Sequence, residues 1–248
     1  MVGVAIIAFL AGLAVGSFAT AVAYRLPRGM PFALERSQCP ACGARIGARD
    51  NIPVLSWVLL RAKARCCGAP ISPRYPLTEL SVGVLYAATV IVYRHSVAEA
   101  LIGLVFVAML AIITLTDLER RIIPNKVLIA GAVICLAIAI PTDPGGLPER
   151  LIAGVASGAV FFLVVFAYPR GMGLGDAKLA ATMGLFLGRA VAPAILVGLL
   201  AGSLVGMALI ATRGPEARKM AIPFGPFLAL GGIVGLLAGH HLVHIWLS

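Results

Sequence analysis

Apolar stretches of about twenty residues recur along nearly the whole of this sequence, none carrying more than one Asp, Glu, Lys or Arg. Such a stretch, coiled as an α-helix, crosses roughly 30 Å of hydrocarbon while satisfying its own backbone hydrogen bonds, which lipid cannot do. Eight can be read in order: 2–23, 77–93, 98–116, 124–140, 151–168, 177–187, 190–211 and 223–246. The sixth is short and glycine-rich. The expected fold is an all-α polytopic membrane protein of about eight transmembrane helices, with a small cytoplasmic insert between the first and second. Hydrophobic residues make up 60% of the chain and charged ones 12%, about half the charged share of a soluble domain. The first stretch lacks a basic leader and a small-residue cleavage site, so it is expected to stay as a helix.

The positive charges set an orientation. Of the 20 lysines and arginines, nine follow the first stretch, between Arg25 and Arg74. Eight more, including Arg120, Arg121, Lys126 and Lys178, fall on the same side, and only Arg94, Arg150 and Arg189 fall on the other. The N-terminus is then outside and the loaded side cytoplasmic. The net charge of +10 reads as a topology signal. Nucleic acid is not an expected partner, because no basic soluble domain with interleaved aromatics is present. The bilayer itself is.

Three segments are expected: the first helix, 1–23; the insert, 24–76; and a membrane-embedded core, 77–248. An insert of about fifty residues rarely supports itself without a staple. It contains Cys39, Cys42, Cys66 and Cys67, and in a reducing compartment these read as a metal site before disulfides. Cys39 and Cys42 have a spacing that suits one tetrahedral zinc. The adjacent pair is irregular, since neighbouring side chains point apart in most backbones. A structural zinc and a degenerate knuckle held by packing are both open. Cys135, inside the fourth stretch, is expected to be a packing residue.

The acids are few. Asp117 ends the third stretch, and Asp176 follows Gly171, Gly173 and Gly175 at the start of the sixth. Charges at the edge of a bilayer are costly enough to demand a role. Asp176 could cap its helix, and Asp117 could pair with Arg120 or Arg121. Both lie on the cytoplasmic side, however, and two close carboxylates can share one proton. Such a pair activates a water and protonates a leaving amine, hydrolysing a peptide bond with no cofactor. Helix ends favour an ionised Asp176 and a protonated Asp117. Gly173 and Gly175 could bring the backbone close to an extended substrate and adopt positive φ. Lys178 could steer a substrate carbonyl, tune Asp176 or snorkel to the interface. Phe224 and Gly225, opening the last stretch before Pro226, are expected at the floor or gate of the site. Gly12 with Gly16, and Gly198 with Gly202, allow close helix packing, with a homodimer left open. His240 and His244 have a metal-compatible spacing, though an interfacial helix end explains them more simply.

Motifs along nearly the whole chain resemble those of the type IV prepilin peptidases, aspartic membrane proteases of the GxGD kind. They include Tyr24-Arg25-Leu26-Pro27, Cys39-Pro40-Ala41-Cys42, Asn51-Ile52-Pro53, Arg74-Tyr75-Pro76-Leu77-Thr78-Glu79, Ile122-Ile123-Pro124-Asn125, Gly173-Leu174-Gly175-Asp176-Ala177-Lys178 and Pro223-Phe224-Gly225-Pro226-Phe227. The resemblance implies that Asp117 and Asp176 are the catalytic pair. It implies a prepilin or pseudopilin substrate, cut after a glycine at the cytoplasmic face of the inner membrane. It also implies a second activity, N-methylation with S-adenosylmethionine, attributed to the insert, with Glu79 where the family has an acid. The family's second knuckle is usually Cys-x-x-Cys. Here Ala64 stands at its first cysteine and Cys66 is the spare. The other readings are a proton-coupled transporter relaying protons through the two aspartates, and a membrane scaffold whose knuckle binds a partner. A relay more often sits near the midplane between inverted repeats, and a scaffold leaves the aspartates unexplained.

Overall fold

A computed structural model describes residues 1–30, 37–168, 172–214 and 222–247. Gly171 and the side chains of His240, His241 and His244 lie outside the described residues. Among those described, the regular structure is helical, with two isolated β-bridges and no strand. Each apolar stretch read from the sequence is a helix. Six stretches are long and apolar enough to cross a membrane, and one of them, Leu174–Arg213, contains two helices. A seventh apolar segment, Gly225–Gly239, is shorter. The chain is thus a polytopic all-α membrane protein, with six stretches of crossing length among the described residues.

The chain divides into two compact units, Met1–Arg94 and His95–Ser248. The first unit holds α1 (Val2–Arg25), the short α2 (Leu55–Leu59) and α3 (Arg74–Val92). α1 and α3 meet backbone to backbone. A Cβ on Gly12 would stand 2.7 Å from Cα of Gly83, and one on Gly16 would stand 2.7 Å from Cα of Glu79. Without a hydrophobic drive between helices in lipid, such close approach is what dispersion forces require. The small-residue face of α1 is therefore filled from within the chain.

The second unit holds α4 (Val97–Arg120), α5 (Asn125–Thr142), α6 (Leu147–Ala167), α7 (Leu174–Leu187), α8 (Val191–Arg213) and α9 (Gly225–Leu247). Ser96 caps α4, its hydroxyl accepting the Glu99 N–H at 3.2 Å, as a serine N-cap should. α4 is the central helix. Phe106, Val107, Leu110 and Ile113 are buried on it, and Phe106 stacks on Phe186 of α7 at 4.8 Å between ring centroids. α4 packs against α5, α7 and α9, α6 lies along α7, and α8 lies along α9. Gly198 of α8 fits against the Phe227–Leu228 backbone of α9, and Gly202 against the Phe224 ring. Cys135 is fully buried on α5, its thiol 3.8 Å from the Leu185 carbonyl, which is the packing role expected of it.

α7 has 14 residues and rises only about 21 Å. It ends at Gly188, whose φ of 56° turns the chain into a short 3₁₀ segment. A polar clamp fixes that end. The buried Arg150 of α6 donates to the Phe186 carbonyl at 2.7 Å and pairs with Glu99 of α4. Glu149 pairs with Arg189 at 2.6 Å alongside.

Candidate active site

Asp117 is the fourth residue from the end of α4, one turn beyond Ile113 and next to Thr116, both fully buried. The helix stops at Arg121, a left-handed residue (φ 54°) whose N–H donates to the Asp117 carbonyl. Asp176 is the third residue of α7. The two carboxylates are 6% and 9% exposed, and the helices that carry them, α4 and α7, touch each other.

Each carboxylate receives a backbone N–H from a helix N-terminus. The Gly173 N–H donates to Oδ2 of Asp176 at 3.1 Å, and the Asp176 N–H returns a bond to the Gly173 carbonyl. This is the N3-to-N-cap half of a capping box, with glycine lacking the other half. Asp176 thus serves the start of α7 from its third position, while Gly173 occupies the N-cap. The Gly225 N–H donates to Oδ2 of Asp117 at 2.8 Å, so the N-terminus of α9 offsets the helix-end asymmetry between the two acids that the sequence implied. In both cases Oδ2 is engaged, while Oδ1 accepts no hydrogen bond among the described residues.

The neighbouring glycines are explained by contact. A Cβ on Gly225 would stand 2.8 Å from Oδ2 of Asp117, and one on Gly175 would stand 3.1 Å from Cβ of Ile123. The positive φ expected of the glycine run is not used at the described positions. Gly173 is extended (φ −86°, ψ 151°), and Gly175 is helical. Nearest to a built Cβ on Gly173 is the Asp176 carboxylate, at 3.5 Å. Lys178 donates to Oδ1 of Asn125 at 3.1 Å, joining the first turn of α7 to the first residue of α5. Asn125 was quoted in a motif but given no role; the signal was its place beside Ile123 and Pro124. Phe224 and Phe227 face each other at 6.4 Å, with Gly225 between them.

The cysteines and Glu79 belong to the first unit. The four sulfurs lie within 4.8 Å of one another, with Cys42 3.4 Å from Cys66, Cys39 3.7 Å from Cys67, and the adjacent pair 3.9 Å apart. The neighbouring thiols thus converge, against the expectation from adjacency. The backbone shows why. Around Cys39 the chain bonds Cys39 N–H to the Ala44 carbonyl and Gly43 N–H to the Cys39 carbonyl, with Gly43 at φ 72°. Around Ala64 it repeats the pattern: Ala64 N–H to Ala69, Gly68 N–H to Ala64, and Gly68 at φ 72°. Two like knuckles therefore face each other, with Ala64 at the site of Cys39. Tetrahedral sulfurs 2.3 Å from a zinc stand about 3.8 Å apart, which is the scale of these separations. N–H groups of Cys42 and Ala41 push the Cys39 thiol down to about 7. Hydrogen bonding to Cys42 leads the effects that push Cys66 up to about 12.

Glu79, 7% exposed on α3, accepts the Val54 N–H on Oε2 at 2.7 Å. Val54 has φ 60° and ψ −51°, and the Leu55 N–H bonds to the Pro53 carbonyl at 2.6 Å. That is a γ-turn of the rarer, strained hand, made on a β-branched residue. Sequence reading missed it because Pro-Val-Leu carries no turn signal.

Comparison with known proteins follows this division. The profile of the Bacterial Peptidase A24 N-terminal domain matches residues 10–93, and that of the Type IV leader peptidase family matches residues 104–211. The chain is 34% identical over 244 residues to the prepilin leader peptidase/N-methyltransferase of Bacillus subtilis, covering 98% of this chain and 97% of the relative. This protein belongs to the type IV leader peptidase family. It is also 32% identical to the enzyme of that name from Pseudomonas putida (95% of this chain, 91% of the relative) and 33% identical to that from Aeromonas hydrophila (97% and 92%). No solved structure matches it. In this leader peptidase family member, the segment matching the peptidase profile contains Asp117 and Asp176, and the N-terminal match contains the cysteines and Glu79.

Proposed function

We propose that this chain is an aspartic endopeptidase that removes the short leader of a prepilin or pseudopilin, with Asp117 and Asp176 as its catalytic residues. The observation that carries the reading is the pair itself: two buried carboxylates from α4 and α7, each positioned through Oδ2 by a helix-N-terminal N–H, with Oδ1 uncommitted. The dyad holds one proton. The ionised member takes a proton from water as the water oxygen bonds to the scissile carbonyl carbon. The protonated member donates to the carbonyl oxygen. When the tetrahedral adduct collapses, a proton passes to the amide nitrogen, the C–N bond breaks, and a carboxylate and a free amine leave. Gly173, Gly175, Lys178, Phe224 and Gly225 border the dyad and would guide the leader past it. The charge distribution supports an inner-membrane chain with its N-terminus outside and the dyad at the cytoplasmic face.

The cysteine cluster fits a structural zinc held by Cys39, Cys42, Cys66 and Cys67, stapling the insert. Glu79, a buried carboxylate with one oxygen bonded to Val54, fits a cationic group. S-adenosylmethionine, when bound, would supply the methyl for the new N-terminus, with Glu79 on the donor side. The deciding experiment mixes the purified protein with a prepilin and measures leader removal. Asp117→Asn and Asp176→Asn should each lower cleavage by about 10³-fold or more. Cleavage that survives either substitution removes the dyad.

A further inference from the structure

The insert holds its shortest helix the wrong way round for a soluble domain. On α2 the polar groups face inward. The buried Ser56 hydroxyl donates to the Arg49 carbonyl at 3.0 Å and accepts the Ile52 N–H at 2.8 Å, and the Trp57 indole donates to the Ile71 carbonyl at 3.0 Å. The apolar side chains face out. Ile52, Leu55 and Val58 are about half exposed, and Leu59 is 71% exposed. Leu55, Val58 and Leu59 are three and four residues apart, which puts them on one face of α2, with Ile52 exposed just before it.

The face is not the result of a loose segment. α2 closes with Arg61 and Ala62 in the left-handed region, and the Ala62 N–H reaches back to the Trp57 carbonyl at 2.9 Å. Its other end is tied to a membrane helix, because Val54, immediately before it, donates to Glu79. Glu79 is the sixth residue of α3, about 8 Å along that helix from its start. An outward apolar face is thus fixed within a few ångströms of the first turns of a helix that crosses lipid. Arg49, Arg61 and Lys63 flank it and are exposed. Apolar residues rimmed by cations, at the depth where a bilayer begins, match the anionic headgroup layer and the acyl carbons beneath it.

We propose that α2 and the turn after it are a membrane-docking face, with Ile52, Leu55, Val58 and Leu59 in the interface of the leaflet on the insert's side and Arg49, Arg61 and Lys63 on anionic phospholipid headgroups. The insert is then held by lipid as well as by its chain ends. Photocrosslinking of the full-length protein in nanodiscs containing phosphatidylglycerol tests this. Leu59 is replaced by p-benzoylphenylalanine, and Val58 in a second variant should the first fold poorly. Illumination should give phospholipid adducts as the main product, read by mass spectrometry. Adding Arg61→Asn and Lys63→Gln should lower the adduct yield several-fold, and prepilin cleavage in detergent should stay within about twofold. Crosslinks chiefly to the rest of the chain, to a second copy or to added prepilin would overturn the proposal and make the face a protein contact. An adduct yield unchanged by the charge substitutions would overturn its electrostatic half.

Discussion

A methyl group at position 225 would stand 2.8 Å from Oδ2 of Asp117, in the space the carboxylate needs to accept the Gly225 N–H. At position 173 the same methyl would find its nearest atom at 3.5 Å, an ordinary contact. The two glycines border the same site, so the pair separates positioning from docking. Gly225→Ala should lower prepilin cleavage by about 100-fold, since a displacement of about 1 Å at a reacting group costs that much. Gly173→Ala should cost less than about threefold. A loss at Gly173→Ala as large as at Gly225→Ala would instead mark Gly173 as a surface the substrate lies on. These contacts explain what was legible at this scale. Asp117 and Asp176 stood out because an acid in an apolar segment is conspicuous. That Gly225 serves Asp117 was not legible, because 108 residues separate the partners and only packing brings the start of α9 to the end of α4. Val54 was hidden for a related reason: its φ of 60° is imposed by Glu79, not by its own preferences.

The element least predictable from local rules is the second knuckle. Adjacent cysteines were expected to diverge, yet Cys66 and Cys67 converge on the other two because the chain around Ala64 repeats the hydrogen bonds around Cys39. The turn, not the cysteine spacing, defines the knuckle. Ala64 stands where the first knuckle has Cys39, and Cys66, the counterpart of Ala41, supplies the fourth thiol from another direction. Cys66→Ser should therefore lower bound zinc well below one per chain in elemental analysis. The double change Ala64→Cys with Cys66→Ala should restore it, because the backbone for the regular knuckle is already present. Zinc retained fully in Cys66→Ser would leave three sulfurs and a water as the binding set. Helices were easier to read. α1 and α3 to α9 each matched an apolar stretch, because in lipid a long apolar run has few alternatives to a helix. Which of them is long enough to cross alone was harder, since α7 and α8 are divided only by the turn at Gly188.

At the scale of the molecule, the two proposed chemistries fall one in each unit. The division near residue 94 falls between the two family profiles. The second unit is secured at the end away from the aspartates by Arg150, which ties α6 to Glu99 of α4 and to the Phe186 carbonyl of α7. Removing one partner of a buried pair leaves an uncompensated charge, at a cost of about 3–5 kcal/mol. Arg150→Met should therefore lower thermal stability markedly in detergent, and adding Glu99→Gln should recover part of the loss. Equal melting of Arg150→Met and the parent would show the clamp to be dispensable.

The brevity of α7 has a consequence for the lipid around the enzyme. A helix of about 21 Å cannot span a hydrocarbon layer of about 30 Å, and Asp176 sits in its first turn. Thinning of the layer beside it would bring bulk water to a residue that the proposed hydrolysis requires to be wet. Acyl-chain length then becomes a control on turnover. The protein reconstituted in bilayers of 14-carbon lipids should cleave prepilin faster than in 20-carbon ones, where the thicker layer closes over the site.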